Sequence, residues 1–155
     1  YKDQFHSFKV VPGNKISSEA VLIYDDQREP SPRPHFLNDW LKNSHGNVSA
    51  IVDNNGMCHG FGRIRPCVLE DNEQGWRIGP LLADTPPLAE LLIRELVGDL
   101  DAQILLDCSN LNPYANYLLS SLGFEEISKT YRMYKGIQPF CPMNQVYGLA
   151  CLELG

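Results

Sequence analysis

The chain has 155 residues, of which 43% are hydrophobic and 21% charged, and this length suffices for one globular domain with a single core. Its formal net charge of −6 argues against a nucleic-acid partner, since contacts to phosphates need clustered lysine and arginine. No apolar run approaches the roughly 20 residues of a transmembrane helix, so no membrane partner is expected.

The spacing of cysteine and histidine does not indicate a metal site. The five cysteines form no CxxC pair and their number is odd, and the four histidines form no HxxxH or HExxH cluster. We therefore expect no bound metal, reduced thiols, and an intracellular, cytoplasmic location.

The first 18 residues are polar and mixed, and they are predicted to be an arm or linker before one domain at residues 19–155. The apolar run at residues 20–24, within EAVLIYDD, predicts a buried strand. The proline-rich QREPSPRP predicts a loop, and HFLNDWLKNSHG predicts a short helix with one apolar face.

Three antiparallel strands are predicted to follow this helix. Val48, Ala50 and Val52 recur at every second position, and Asn55-Gly56 is a strong signal for a hairpin turn. After a polar connection, WRIGPLLAD predicts the third strand of this group.

The second half of the chain mixes helices and strands. TPPLAELLIRELVGDL predicts a helix capped by Thr85 with Pro86 at its first position, and NPYANYLLSSLG predicts a helix that stops at Gly123. AQILLDC, which is apolar without alternation, predicts a strand covered on both faces. FEEISKTYRMY and VYGLACLEL are predicted to be the last two strands.

Several motifs, in this order, resemble the GNAT superfamily of acyl-CoA-dependent N-acyltransferases. Asn112 and Ala115 are similar to the Asn-x-x-Ala that opens the last helix of that superfamily, and residues 122–124 are similar to its Leu-Gly-Phe. IYDD, GFGRIR, RIGPLLAD, LLDCSNLN, TYRMYKG and GLACLELG resemble, more narrowly, the second (C-terminal) domain of YitH-like bacterial acetyltransferases.

The resemblance implies an α/β (α+β) fold with a mixed, mostly antiparallel twisted sheet and helices on both faces. The strands at residues 77–83 and 103–107 would run parallel and part at one end, and Gly79-Pro80 suits the break. The pantetheine arm of acetyl-CoA, the implied co-substrate, would lie in that gap. The implied cofactor contacts are Leu81, Leu82, Ala83, Thr85, Leu88 and Asn112.

The chain departs from the superfamily where the pyrophosphate of CoA should bind. Typical members have Arg/Gln-x-x-Gly-x-Gly/Ala there, and the backbone N–H groups of this loop hold the phosphates. This chain has ADTPPLAELL, in which Pro86 and Pro87 remove two amide donors and Asp84 adds a negative charge. We therefore expect weakened binding of the pyrophosphate.

Asp107, at the end of the predicted fifth strand, is the candidate general base, with a cap for the following turn as an equal alternative. The position of the superfamily's catalytic tyrosine holds Leu119. Tyr117 lies about 200° away around the helix and is a second catalytic candidate, or else a packing residue. Cys108 has no clear histidine partner, so covalent catalysis carries little weight.

Two functions follow from these observations. The first is an N-acetyltransferase that moves an acetyl group from acetyl-CoA to a small-molecule amine or a protein amino group by direct transfer. The alternative is a catalytically inactive GNAT-like domain that binds a ligand or another protein. The apolar terminal strand also predicts an exposed edge for a homodimer or a partner domain.

Overall fold

The structure, a computed structural model, describes residues 7–152 of the chain. The strands are β1 Phe8–Pro12, β2 Asn47–Asp53, β3 Cys58–Val68, β4 Gln74–Ala83, β5 Ile104–Leu106 and β6 Val146–Gly148. The helices are α1 Ser18–Asp26, α2 Pro34–Lys42, α3 Pro86–Val97 and α4 Pro113–Ser121.

The strands form one mixed sheet in the order β1-β2-β3-β4-β5, with β6 attached to β4. Neighbouring strands are antiparallel except β4 and β5, which run parallel. This arrangement confirms the predicted α/β (α+β) fold with a mostly antiparallel mixed sheet.

The predicted hairpin between β2 and β3 is formed by local chemistry. The Asp53 side chain accepts hydrogen bonds from the backbone N–H of Asn55 at 2.8 Å and of Met57 at 3.0 Å. Gly56 has a φ of +80°, a conformation that costs glycine little. The turn is therefore closed by residues within five positions of one another.

Helices cover both faces of the sheet, as predicted. Adjacent residues of a strand point to opposite faces, and Ala50 and Leu82 pack in one cluster with α1 and α2 while Ile51 and Leu81 pack in another with α3 and α4. A Cβ atom at Gly62 would lie 2.9 Å from Leu96 of α3, so glycine permits the close approach of this helix.

The prediction of a strand at residues 20–24 is wrong, because these residues belong to α1. Val21 and Tyr24, one turn apart, are buried against the sheet, whereas Ile23 is 54% exposed. A short apolar run fits either a strand or a helix, and the burial follows the helical period of the run.

Part of the predicted arm is a strand of the sheet. β1 pairs with β2 in antiparallel register from Phe8 opposite Asp53 to Pro12 opposite Ser49. Residues 1–6 of the arm lie outside the described residues.

α4 ends as predicted, but the strand expected after it is not formed. Gly123 has a φ of +86°, and the N–H groups of Gly123 and Phe124 donate to Ser120 and Leu119, which is a Schellman stop. Beyond Phe124 the segment is irregular and exposed up to residue 140. A strand needs a neighbour, and three-residue β5 offers few backbone groups to pair with.

Two further strand predictions need correction. β5, expected to be covered on both faces, is half-buried and ends the row of strands. The terminal strand, expected to be an exposed edge, is buried as β6, with Val146 and Tyr147 in the core. Residues 153–155 of that prediction lie outside the described residues.

Candidate functional site

β4 and β5 part where the sequence predicts a break. They pair from Trp76 opposite Ile104 to Ile78 opposite Leu106, and from Gly79 onward β4 continues without β5. The parting opens a gap on the β5 side of residues 79–83. A gap of this kind is where the resemblance places the arm of an acyl-CoA.

β6 lies in this gap. On one edge β4 pairs with β3, and on the other edge Leu81 is opposite Gly148 and Leu82 is opposite Val146. The N–H of Leu149 donates to the carbonyl of Asp107 at 2.8 Å, which ties the end of β6 to the end of β5. The edge expected to contact the pantetheine arm is therefore covered by the chain's own last strand.

Asn112 fastens β6 to α4. Its side-chain oxygen accepts hydrogen bonds from the N–H groups of Tyr114 and Ala115, both at 3.1 Å, and so caps the helix. Its side-chain nitrogen donates to the carbonyl of Val146 at 2.9 Å, and the residue is fully buried. Both polar atoms thus bind within the chain, and the role of Asn112 toward a cofactor stays a prediction.

The first turn of α3 offers few donors to a phosphate. Pro86 opens the helix as predicted, and Pro87 follows it, so the N–H of Leu88 is the first one available. Thr85 precedes the helix but makes no capping hydrogen bond with its side chain, which leaves its exposed hydroxyl free to meet a ligand. The Leu88 side chain is buried in the core, so only its backbone could contact a cofactor.

The Asp84 side chain faces α1, and the positive charge of Arg28 balances its negative charge there. One of its oxygens accepts hydrogen bonds from Tyr24 at 2.7 Å and from Arg28 at 2.9 Å, and the other lies 2.7 Å from Nδ1 of His59. The second ring nitrogen of His59 lies 3.3 Å from the Asp53 carboxylate. Burial, and then the bond to Asp84, raise the pKa of Tyr24, which keeps its hydroxyl a donor.

This polar cluster was not found in the sequence because its members come from α1, β2, β3 and the end of β4. These residues are far apart in the sequence, so no motif of fixed spacing predicts the cluster. Its presence reduces the repulsion that Asp84 was expected to exert on a phosphate, since Arg28 balances the carboxylate charge.

Asp107, the predicted base, directly follows β5 and forms an ion pair with Arg77. The turn after it is held by the Ser109 hydroxyl, which accepts from the N–H of Leu111 at 3.2 Å. Tyr117, the other catalytic candidate, is 80% exposed on α4. The structure therefore does not bring these two candidates into one cluster, and their roles stay predictions.

Cys108 is held as a neutral thiol. Burial raises its pKa, and its Sγ atom lies 3.7 Å from the side-chain oxygen of Asn116. Among residues 7–152 no group of three metal-binding side chains could hold an ion, and none of the helices described there is long and apolar enough to cross a membrane.

Comparison with known proteins agrees with this geometry. The family described as "Acetyltransferase (GNAT) domain" matches residues 21–148. Holothin acyltransferase of Pseudoalteromonas sp. (strain SANK 73390) is 27% identical over 139 residues. That match covers 88% of the chain and 45% of the relative, so the chain spans less than half the length of this protein.

Solved structures share the fold at low sequence identity. An aminoglycoside 6'-N-acetyltransferase of Acinetobacter baumannii superposes with a TM-score of 0.58 at 11% identity, covering 84% of the chain and 99% of its own. Glucosamine-6-phosphate N-acetyltransferase of Arabidopsis thaliana gives a TM-score of 0.58 at 13% identity, covering 83% and 99%. At such identities the likeness supports the fold alone.

Proposed function

Because the chain belongs to the GNAT acetyltransferase family, we propose that it transfers an acetyl group from acetyl-CoA to an amine. The observation that carries the proposal is the parting of the parallel strands β4 and β5 after Ile78, with the N-terminus of α3 following the part of β4 that lies beyond β5. Acetyl-CoA would supply the activated acetyl group as co-substrate.

The transfer would be direct. The amine nitrogen attacks the thioester carbonyl carbon, the C–N bond forms and the C–S bond breaks, and the thiolate of CoA leaves. The proton lost by the amine must reach a base, and Asp107 beside the gap is our candidate, with Tyr117 as the candidate donor to the thiolate. The contacts to acetyl-CoA would come from Leu81, Leu82, Ala83, Thr85, Leu88 and Asn112.

A second function is favoured by one specific observation. β6 occupies the edge of β4 that the pantetheine arm would need. Pro86 and Pro87 also remove two amide donors from the start of α3, where the pyrophosphate of CoA would bind. A chain in which β6 never leaves this edge would be a GNAT-like domain that binds a ligand or a protein without catalysis.

Acetyl transfer distinguishes the two functions. We would incubate the chain with acetyl-CoA and a panel of small amines and amine-bearing peptides, and measure both the N-acetyl product and released CoA by chromatography. Product that requires both substrates supports the transferase. No product, together with no heat of acetyl-CoA binding in calorimetry, supports the non-catalytic alternative.

We also infer that the chain corresponds to the second domain of a two-domain, YitH-like acetyltransferase. The chain spans 45% of Holothin acyltransferase, which supports a protein of two domains of which the chain is one, while its assignment as the second rests on the resemblance of its motifs. The acceptors named for two solved neighbours, an aminoglycoside and glucosamine-6-phosphate, support a small-molecule amine over a protein amino group. The two-domain inference favours a second domain over a homodimer as the partner. Light scattering of the chain alone and mixed with a separately produced first domain would test the partner.

A further inference from the structure

Three arginines lie on one face of the sheet, beside the break in β4. Arg63 and Arg65 are two residues apart on β3, so their side chains point the same way, and Arg77 of β4 is the direct cross-strand partner of Arg65. Like charges placed directly opposite each other on neighbouring strands destabilise a sheet. In a chain with a net charge of −6, this concentration of positive charge requires an explanation.

The chain supplies little negative charge to the cluster. Asp107 pairs with Arg77, but no carboxylate in residues 7–152 contacts Arg63 or Arg65. The Nε atoms of Arg63 and Arg65 are buried and have no hydrogen-bond partner in that part of the chain. Burial, and then the charge of Arg65, lower the pKa of the Arg63 guanidinium, as expected for positive charge that is not balanced.

Trp40 holds two of these arginines in place. The guanidinium groups of Arg63 and Arg65 lie 4.8 Å and 4.9 Å from the centre of its ring. The ring nitrogen of Trp40 donates to the carbonyl of Gly79 at 3.2 Å. The arginine cluster is therefore anchored at the residue where β4 leaves β5.

A cavity of about 290 Å³ opens between the two facing arginines. Its walls are Arg65, Cys67, Arg77, Cys151 and Leu152. It has room for a small molecule with one anionic group, and a guanidinium can offer two parallel N–H groups to a carboxylate or phosphate. Within residues 7–152 the arginines thus present an open recognition surface with Cys67, Cys151 and Leu152 beside it.

The position of this cavity argues against the phosphates of CoA as its ligand. Eight residues separate Arg77 from Thr85, and at roughly 3.3 Å per residue the start of α3 lies about 26 Å away along the strand. Phosphates bound at the start of α3 could not reach Arg65 and Arg77, whereas an acceptor bound at the break in β4 would lie beside these arginines.

We propose that Arg65 and Arg77 bind a carboxylate or phosphate group carried by the amine acceptor. The assignment of the ligand as the acceptor rests on the proposed function, while the anion site itself does not. The acceptor class is then a small amine with an acidic group, which Arg65 recognises with N–H groups that have no acceptor within residues 7–152 and Arg77 with those not used by Asp107.

Matched pairs of amines test this proposal by activity. O-phosphoethanolamine is compared with ethanolamine, and β-alanine with β-alaninamide, at constant ionic strength. We expect kcat/KM to favour the anionic member of at least one pair. Arg65→Gln should lower kcat/KM for that member by about ten- to a hundredfold, the effect of losing a hydrogen bond between charged groups, and leave the neutral member unchanged.

Two variants control for folding and general charge. Arg65→Lys keeps the charge but not the fork of N–H groups, so it should recover only part of the preference. Arg94→Gln removes an arginine that pairs with Glu90 on the exposed face of α3 and should leave the preference intact. Circular dichroism of each variant confirms folding before the rates are compared.

Binding measured without acetyl-CoA separates this proposal from the transferase function. Calorimetry with O-phosphoethanolamine and β-alanine should show binding of at least one of them, and Arg65→Gln should abolish that binding, even if no acetyl transfer is detected. If acetyl transfer shows no preference for an acidic group and Arg65→Gln does not change kcat/KM, the proposed anion site is wrong and the transferase function is still supported. Weaker binding of adenosine 3',5'-bisphosphate in Arg65→Gln, with the amines unaffected, assigns the arginines to CoA and also overturns the proposal.

Discussion

At the scale of single residues, Tyr147 illustrates how burial without a partner affects stability. It lies in β6, fully buried, and its hydroxyl has no hydrogen-bond partner in residues 7–152. Burial raises its pKa to about 12, because the tyrosinate anion cannot be solvated there. An unpaired buried hydroxyl costs roughly 1–3 kcal/mol, so the residue contributes less to folding than its ring alone would.

Tyr147→Phe is therefore expected to raise the free energy of unfolding at pH 7 by about 1 kcal/mol. Because burial raises the pKa above the ordinary value for tyrosine of about 10, ionisation of Tyr147 is opposed in the folded state, and the fold loses stability as the pH rises from about 10 to about 12. The variant should escape up to roughly 2.7 kcal/mol of that alkaline loss, two pKa units at 1.36 kcal/mol each. Urea unfolding at pH 7, 10 and 11.5 measures both effects.

Tyr117→Phe is the matched control, since this tyrosine is largely exposed on α4. It should change neither the stability at pH 7 nor the alkaline loss. If Tyr147→Phe is less stable than the natural chain at pH 7, its hydroxyl has a partner that this account does not include.

At the scale of elements, β6 and the pantetheine arm would compete for the same edge of β4, and this competition decides whether acetyl-CoA can bind. Leu81 and Leu82 can pair on the edge away from β3 with β6 or with a pantetheine arm, but not with both, because the backbone groups directed to that edge can bond to only one neighbour at a time. Binding of acetyl-CoA must therefore release β6, and its apparent affinity includes the cost of that release.

We expect acetyl-CoA to accelerate hydrogen exchange at the Leu149 amide, whose bond to Asp107 closes the end of β6. Amides of the hairpin formed by β2 and β3 serve as the internal control and should keep their protection. Exchange would be followed by NMR with and without saturating acetyl-CoA. Saturation with acetyl-CoA and undiminished protection at Leu149 would show that the arm binds elsewhere.

The start of α3 gives a second prediction at this scale. Replacing Pro86 and Pro87 together with Ala and Gly restores two amide donors without disturbing Asp84, which Arg28 and Tyr24 hold. Each regained bond to a charged phosphate is worth about 1.5–3 kcal/mol, so acetyl-CoA should bind ten- to a hundredfold more tightly or better. Calorimetry measures the affinity.

Pro34→Ala provides the comparison, because Pro34 opens α2 as Pro86 opens α3. Each replaced proline should lower the free energy of unfolding by about 0.4–1 kcal/mol, so the α3 variant, which loses two, should lose about twice as much as Pro34→Ala. Only the α3 variant should gain affinity, and equal affinity in all three proteins would contradict our account of this loop.

At the scale of the whole molecule, turn and helix-stop signals predict the structure correctly, whereas short apolar runs and long-range pairings do not follow from the sequence. The Asn55-Gly56 turn and the Gly123 stop depend on neighbours in sequence, so they were predictable. Residues 20–24 form a helix and not the predicted strand because a short apolar run fits both periods, and β1 is not predicted because its five residues, FKVVP, stand within a longer polar and mixed segment.

The candidate site likewise has features that the sequence predicts and features that it does not. The break after Ile78 was predictable from Gly79-Pro80 and the resemblance, since both lie within one motif. The bonds of Asp84 to Tyr24 and His59 join residues 60 and 25 positions apart, which no spacing rule captures. The pairing of Arg65 with Arg77 depends on strand register, which becomes known only when the sheet is assembled.

The contact of Trp40 with the guanidinium groups of Arg63 and Arg65 gives the molecule a built-in optical reporter. The chain has only two tryptophans, and Trp76→Phe leaves Trp40 as the single strongly emitting side chain. Because nearby cations alter the emission of an indole ring, an anion that draws Arg65 away from the ring should change its intensity. Titration of Trp76→Phe with O-phosphoethanolamine or β-alanine, with sodium chloride as the reference salt, would then follow occupancy of the arginine cavity directly in solution, before any product is formed.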